Sequence, residues 1–332
     1  MRRQTAHGRS GTRNQKLSLS PHLSLFLIVK NTFKAHLAVL FTNLFFAANY
    51  SLVKLISPAV IGPFGLNVIR VGVSMVLFWA IWSFGSRPAS IQKRHVVRFI
   101  LCALTGVAIN QMFFVKGLTM TSGIHASLLM LTTPLLITVF ALLALNESIT
   151  RLKGLGLFLG IGGSVMLVAT KETSSQAPNY LLGDLFIFIN AISYAVYFIL
   201  AKRLMRRYTP MDVVRWIFTI GFFMILPFGW SETTHTNFYS FDLVHLIALA
   251  FIIIAGTFLA YYFNAYGLQH LGAGVTGSYI YTQPVFATII ASFFLDETLT
   301  WQKLLAACFI FSGVYLVSFK KPVQKEASSF AS

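Results

Sequence analysis

The chain runs to 332 residues, 56% of them apolar and 11% charged, whereas roughly a quarter of an ordinary soluble domain is charged. So little charge cannot cover a water-soluble fold of this size, and 15% aromatic residues with a mean hydropathy of +0.72 match helices that face hydrocarbon. The 26 Lys and Arg exceed the 9 Asp and Glu. A clustered basic face would serve a nucleic acid, but these residues gather at the ends of apolar segments, so the expected partner is a lipid bilayer and not a nucleic acid.

Residues 1–34 hold seven basic residues and no acid. They are expected to form a disordered cytoplasmic tail drawn to anionic lipid. An organellar or signal-like leader with its apolar stretch at Leu23 to Val29, or a start codon placed too far upstream, are the alternatives. Crossing a bilayer takes about 20 apolar residues at a helical rise of about 1.5 Å. Ten segments qualify: Ala35 to Ile56, Pro63 to Phe84, Val97 to Leu118, Ser122 to Leu145, Gly154 to Thr170, Leu182 to Leu204, Val213 to Trp230, Leu243 to Leu268, Gly272 to Leu295 and Leu304 to Phe319. Such long runs exclude a barrel, whose segments are short and alternating. Lys and Arg fix the orientation. With the N-terminus inside, Arg87, Lys93, Arg94 and Arg98 fall in one cytoplasmic connection, and Lys202, Arg203, Arg206, Arg207 and Arg215 in or beside another. Arg151, Lys153, Lys320, Lys321 and Lys325 join them, whereas only Lys171 and Lys303 lie in outer connections, so both termini are expected in the cytoplasm.

A shift of 150 positions lays Gly106 to Leu167 on Gly256 to Val317 without a gap. Gly106, Gly117, Pro134, Glu147, Lys153 and Gly163 then meet Gly256, Gly267, Pro284, Glu297, Lys303 and Gly313. Shared apolar composition aligns Leu with Leu; it does not align Pro, Glu, Lys and Gly in one register. The expected fold is therefore all-α, a polytopic membrane protein of ten transmembrane helices in two five-helix repeats, 35–170 and 182–319, with a C-terminal tail at 320–332. An odd number of helices per repeat inverts the second against the first, which places a solute site near the midplane between them.

Asn146, Glu147, Ser148, Ile149 and Thr150, followed by the Gly-rich Gly154 to Gly163, resemble the signature of the EamA family within the drug/metabolite transporter superfamily. Asp296, Glu297, Thr298, Leu299 and Thr300, followed by Gly313 and Val314, resemble its second copy. Pro134, Pro284 and Arg70 after Pro63 also match, and the resemblance covers Ala35 to Phe319. It implies ten helices with both termini inside, in a cell membrane such as the bacterial plasma membrane. It further implies a secondary transporter, an exporter or exchanger of small organic metabolites such as amino acids or drugs, working by alternating access.

Arg70 lies about 10 Å inside its helix, where a charge needs a cavity or carbonyl partners. It reads as a binder of carboxylate or phosphate, or as a structural tie between helix ends. Asn43, Tyr50 and Lys54 share one face of the first helix; Lys54, like Lys116, has the alternative of reaching the headgroups. Asn110 and Gln111 on the third helix, Asn190, Tyr194 and Tyr197 on the sixth, Tyr261, Tyr262 and Asn264 on the eighth, and Tyr281 and Gln283 on the ninth complete the candidate cavity lining. Aromatic walls with a few amides suit an amphipathic organic solute, though interhelical hydrogen bonds or an interfacial tyrosine belt are the plainer roles, the belt most of all for Tyr266. Pro134 and Pro284 each free a carbonyl one turn earlier, predicting kinks that serve as hinges or as fixed bends. Glu147 and Glu297 read as structural carboxylates beside helix N-termini.

Cys102 and Cys308 sit in apolar runs as small buried hydrophobes. With no histidines at i and i+4 and no paired carboxylates within the spans, no catalytic residue, metal or cofactor is expected. An embedded enzyme and a receptor or scaffold are the competing classes.

Overall fold

The computed structural model describes residues 21–84, 91–121, 126, 129–145, 149–169, 179–294 and 301–318. These are helical apart from short connections, with no strand among them. In chain order the elements are α1 (Pro21–Ile56), α2 (Pro63–Ser83), α3 (Lys93–Met120), α4 (Thr133–Leu145), α5 (Arg151–Ala169), α6 (Tyr180–Leu204), α7 (Pro210–Thr234), α8 (Leu243–Leu271), α9 (273–294) and α10 (Trp301–Ser318). Six of them, α1, α2, α3, α6, α7 and α8, contain stretches long and apolar enough to cross a membrane; Thr133–Leu145 and Leu304–Val317 are shorter apolar helices. Large apolar side chains stand exposed on the outside, among them Leu143, Phe158, Phe223 and Phe228. A helix apolar on every side has no water-facing stripe, and its solvent is lipid. The protein is a multi-pass membrane protein.

Local sequence sets the helix ends. Pro63 and Pro210 open α2 and α7, where the missing N–H costs nothing because it would have no intrahelical partner. The Thr209 hydroxyl accepts from the Asp212 N–H and caps α7. For α2 the cap comes from a distant residue: the Glu232 carboxylate, near the end of α7, accepts from the N–H groups of Phe64 and Gly65 at 2.7 and 2.8 Å. A negative charge beside a helix N-terminus is favourable.

Packing follows the glycines. α5 and α10 approach so closely that a Cβ on Gly156 would lie 2.6 Å from the Gly313 carbonyl oxygen, and a Cβ on Gly163 would lie 2.8 Å from that of Ala306. α2 and α7 run antiparallel, with Gly65 beside Thr233 and Gly229 beside Phe64 at one end and Trp79 hydrogen-bonded to Thr219 towards the other. α3 packs on α6, and α1 on α8.

These contacts come in pairs. Shifting by 150, or by 148 between α1 and α6, exchanges Gly156–Gly313 with Ala306–Gly163, and Gly106 against Tyr197 with Gly256 against Asn49. It also exchanges Gly117 against Ile187 with Gly267 against Val39. The Asn190 amide donating to the Asn110 carbonyl has its counterpart in the Thr42 hydroxyl donating to the Ala260 carbonyl. Even the irregular turns recur: α3 carries a π turn at Leu104–Ala108 and α8 one at Ile254–Leu259.

Five expectations need revision or placing. α1 begins at Pro21, inside the stretch expected to be an unstructured tail. Cys102 is buried but Cys308 is exposed. Arg215 lies beside its connection, in the second turn of α7, where it is buried, its guanidinium 2.9 Å from the Asp212 carboxylate and 3.9 Å above the Trp82 ring. Pro134 and Pro284 occupy second positions of helices that restart, the latter after a 3₁₀ turn at Tyr279–Thr282. Glu147 and Glu297 lie outside the described residues.

Candidate functional site

Between the helices lies a small, partly enclosed cavity of about 50 Å³. Eight of the residues singled out in the sequence line it: Tyr50, Arg70, Asn110, Gln111, Asn190, Tyr194, Tyr261 and Gln283. The rest of its wall is Phe46, Asn49, Phe114 and Met130. Both sets of helices contribute, α1 to α3 from one and α6, α8 and α9 from the other.

The π turns position the polar groups. Widening one turn of α8 lets the Thr257 hydroxyl donate to the Ile252 carbonyl at 2.7 Å while it accepts from Arg70 Nε at 2.9 Å. In α3 the corresponding turn exposes the Gly106 carbonyl, which accepts from the Tyr261 hydroxyl at 3.1 Å; Asn110 Oδ1 lies 3.0 Å from the same hydroxyl. Single π turns recur at functional sites because they free backbone groups and redirect side chains without ending the helix. Arg70 is only 3% exposed, and its Nη1 has no protein partner. Asn49 Oδ1, Gln111 Oε1 and Asn190 Oδ1 are likewise buried without a donor. Unsatisfied polar groups are rare in interiors, and each buried one costs roughly 1–3 kcal/mol. Arg70, Gln111, whose Nε2 is also without a partner, and Asn190 border the cavity, whereas Asn49 Oδ1 lies against Gly256 of α8. Ring walls surround them: Tyr50 meets Phe114 edge-on at 5.1 Å, and Phe46 meets Tyr261 at 6.2 Å.

Six candidate residues stand elsewhere. Asn43 is buried behind the wall, accepting from Gln283 Nε2 at 2.8 Å. Asn264 donates to the Tyr194 hydroxyl at 2.8 Å and so fixes a lining ring. Tyr197 stacks on Tyr194 and fills the space above Gly106, while Tyr281 packs against Gly160 of α5. Tyr262 sits beside Phe263 and is partly exposed. Lys54 is exposed near the end of α1, outside the cavity. The sequence reading missed Asn49 and Thr257. Asn49 could have been found by carrying the repeat into α1 and α6, where the offset is 148; Thr257 gives no sequence signal, because a threonine inside an apolar helix usually bonds its own backbone.

A bundle apolar outside, with a small cavity inside lined by polar groups and aromatic rings, defines a polytopic membrane protein. The chain belongs to the EamA-like transporter family, whose profile matches residues 33–169 and again 181–319. An uncharacterized transporter of Archaeoglobus fulgidus is 24% identical over 291 residues, covering 87% of this chain and 98% of that one. A chloroplastic WAT1-related protein of Arabidopsis thaliana is 26% identical over 266 residues, 78% of this chain and 63% of its own length. A solved crystal structure shares the fold with a TM-score of 0.67 at 19% identity, over 84% of this chain and 94% of the other. Family and relatives together give the protein a transporter role.

Proposed function

We propose that the protein is a secondary transporter that exports or exchanges small organic solutes across a cell membrane. It works by alternating access between two five-helix units, 35–170 and 182–319, inserted in opposite orientations. Both tails lie in the cytoplasm, where the connections rich in Lys and Arg also lie, and a bacterial plasma membrane suits this arrangement. Equivalent helices that pack antiparallel, as α2 with α7 and α5 with α10, favour a two-fold axis perpendicular to their length. For spanning helices that axis lies in the membrane plane, and a solute site falls on it.

The observation that carries the mechanism is a place where the paired contacts fail to match. Lys202, near the end of α6, donates to the Leu268 and Gln269 carbonyls at the end of α8, at 2.8 and 3.1 Å. Its counterpart under the 148 shift is Lys54, and the corresponding carbonyls are those of Leu118 and Thr119. Lys54 makes no hydrogen bond or ion pair among the described residues and stands exposed. The cytoplasmic ends of α6 and α8 are thus latched while the outer ends of α1 and α3 are not, as befits an outward-facing conformation. In the opposite conformation Lys54 takes the Leu118 and Thr119 carbonyls and Lys202 lets go. Because the two latched forms are built from equivalent parts, they lie close in free energy, and a solute that binds either can shift the balance.

Counterflow in proteoliposomes tests the function. Liposomes preloaded with a metabolite panel should accumulate labelled solute faster when the unlabelled form is inside, and only when the protein is present. Absence of protein-dependent flux across carboxylates, amines and neutral solutes would overturn the reading.

A further inference from the structure

Cations around the start of α3 and the α6–α7 connection fall into two groups. Some are committed within the fold: Lys202 to the Leu268 and Gln269 carbonyls, Arg203 to that of Ala144, and Arg215 to the Asp212 carboxylate. Arg94, Arg98 and Arg207 make no ion pair among the described residues, and Arg94 and Arg207 stand exposed. Asp212 is the single acid within 91–104 and 202–215, and it serves Arg215, so the neighbouring chain supplies these three with no counter-charge. A clasp between two connections brings them together. The Tyr208 hydroxyl lies 2.8 Å from His95 Nδ1 and accepts from the Gln92 N–H at 3.2 Å, and the Tyr208 ring meets Phe99 edge-on at 5.2 Å. Arg94 precedes His95, Arg98 follows one turn later on the same side of the helix as Arg94, and Arg207 precedes Tyr208. The clasp therefore sets cations of the α2–α3 and α6–α7 connections side by side, and all three guanidiniums act electrostatically on the buried His95 ring. Cations held together repel one another, and an anion among them removes the repulsion. An apolar stripe begins where the arginines end. Arg94 is followed at spacings of three and four by Val97, Leu101 and Leu104, exposed by 66, 42 and 36%, so they continue its face along the helix.

We propose that this face of α3 holds an anionic phospholipid, its phosphate among Arg94, Arg98 and Arg207 and one acyl chain along Val97, Leu101 and Leu104. Guanidinium forks match phosphate oxygens in pairs, and basic pockets between helices at the membrane surface suit such headgroups. Hydrocarbon lies against any exposed apolar stripe; the arginines at its end are what select a headgroup. A zwitterionic lipid brings its own cation towards them, whereas an anionic one does not. A soluble phosphate would meet the arginines but leave the stripe bare. Arg94 and Arg98 belong to the first family repeat and Arg207 to the second, so the headgroup also bridges the two. The inference goes beyond the transporter reading, and only the choice of leaflet, the cytoplasmic one, rests on the orientation proposed above.

Native mass spectrometry of the full-length protein in detergent tests this, with phosphatidylglycerol and phosphatidylcholine of identical acyl chains as probes. The wild type should bind phosphatidylglycerol at least about tenfold more tightly than phosphatidylcholine. Combining Arg94→Gln, Arg98→Gln and Arg207→Gln should bring that preference close to unity, whereas a charge-matched control with Lys34→Gln, Arg151→Gln and Lys153→Gln should keep it. Equal binding of the two lipids by the wild type, which requires no variant to fold, would overturn the proposal. So would an undiminished preference in the triple variant, or an equal loss in the control, which would mean a diffuse basic surface in place of a site. Displacement of the lipid by excess glycerol 3-phosphate would mean a site for soluble phosphates and would overturn it as well. No arm reads flux, so failure here leaves the transporter reading standing, and absence of flux in liposomes leaves the lipid preference standing.

Discussion

At the scale of single residues, the contrast between Arg70 and Arg215 is the most informative. Both are buried cations inside α-helices, and their sequence surroundings look alike: apolar neighbours, a proline at the helix start, no acid within the same turn except Asp212. Only the structure separates an arginine beside a carboxylate and over a ring from one that borders a cavity with neither. The difference predicts opposite effects of neutral substitutions on stability. Asp212→Asn strips Arg215 of its counter-charge and should lower stability by roughly 1–3 kcal/mol. Arg70→Gln removes a buried charge that has no protein counter-ion, so the melting temperature should stay level or rise. Thermal unfolding of the two variants in one detergent checks this; a larger loss for Arg70→Gln would make Arg70 a structural tie. Much of the lining was legible because polar side chains inside apolar spans are conspicuous: Tyr50, Asn110, Gln111, Asn190 and Gln283 all reach the cavity. Asn43, Asn264, Tyr197 and Tyr281 look the same in sequence yet serve neighbouring helices. Periodicity gives the face a residue occupies on its own helix, but not whether that face meets a helix or a void.

At the scale of helices, the apolar runs located the helices; six are long and apolar enough to cross a membrane, while the run expected from Ser122 gives the shorter α4, Thr133–Leu145. α1 departs the other way, since its helix continues back to Pro21 through residues whose basic and polar character hid the continuity. The prolines predicted bends, and the irregularity takes the form of helices that restart at the second-position Pro134 and Pro284. In each, a threonine hydroxyl folds back one turn, Thr132 onto the Leu129 carbonyl and Thr282 onto that of Tyr279. The π turns had no sequence counterpart, because five consecutive small and apolar residues are compatible with either helical pitch. The latch belongs to this scale and makes its own prediction. Paired cysteines at Lys54 and Thr119, and separately at Lys202 and Gln269, should each cross-link in part of the population. A transported solute should move the two yields in opposite directions. Yields that rise or fall together would mean that the latches do not alternate, and the asymmetry between Lys54 and Lys202 would then be incidental to transport.

For the whole molecule, the repeat was the strongest signal in the chain, and its reach proved wider than the ungapped alignment. Side-chain contacts, glycine crossings and π turns exchange under one operation, with an offset that changes by two residues between α1 and α6 because the connections differ in length. That offset is why the ungapped comparison stopped at Gly106, and why Asn49 was not paired with Tyr197. On the proposed mechanism the consequence is geometric: two equivalent halves meeting at a polar cavity would give a site that either half can close. Side chains that the repeat does not duplicate, Arg70 among them, border the cavity, so the repeated fold was legible from internal symmetry whereas the lining was not.

The opposed orientation of the halves is tested most directly by topology. In a background with Cys102 and Cys308 replaced, a single cysteine at exposed Ala59, between α1 and α2, and one at exposed Arg207, between α6 and α7, occupy equivalent connections of the two units. A membrane-impermeant maleimide applied to intact cells should label the cysteine at 59 and leave that at 207 protected until the membrane is opened. Labelling of both from the same side would contradict the inverted arrangement and the two-sided mechanism built on it.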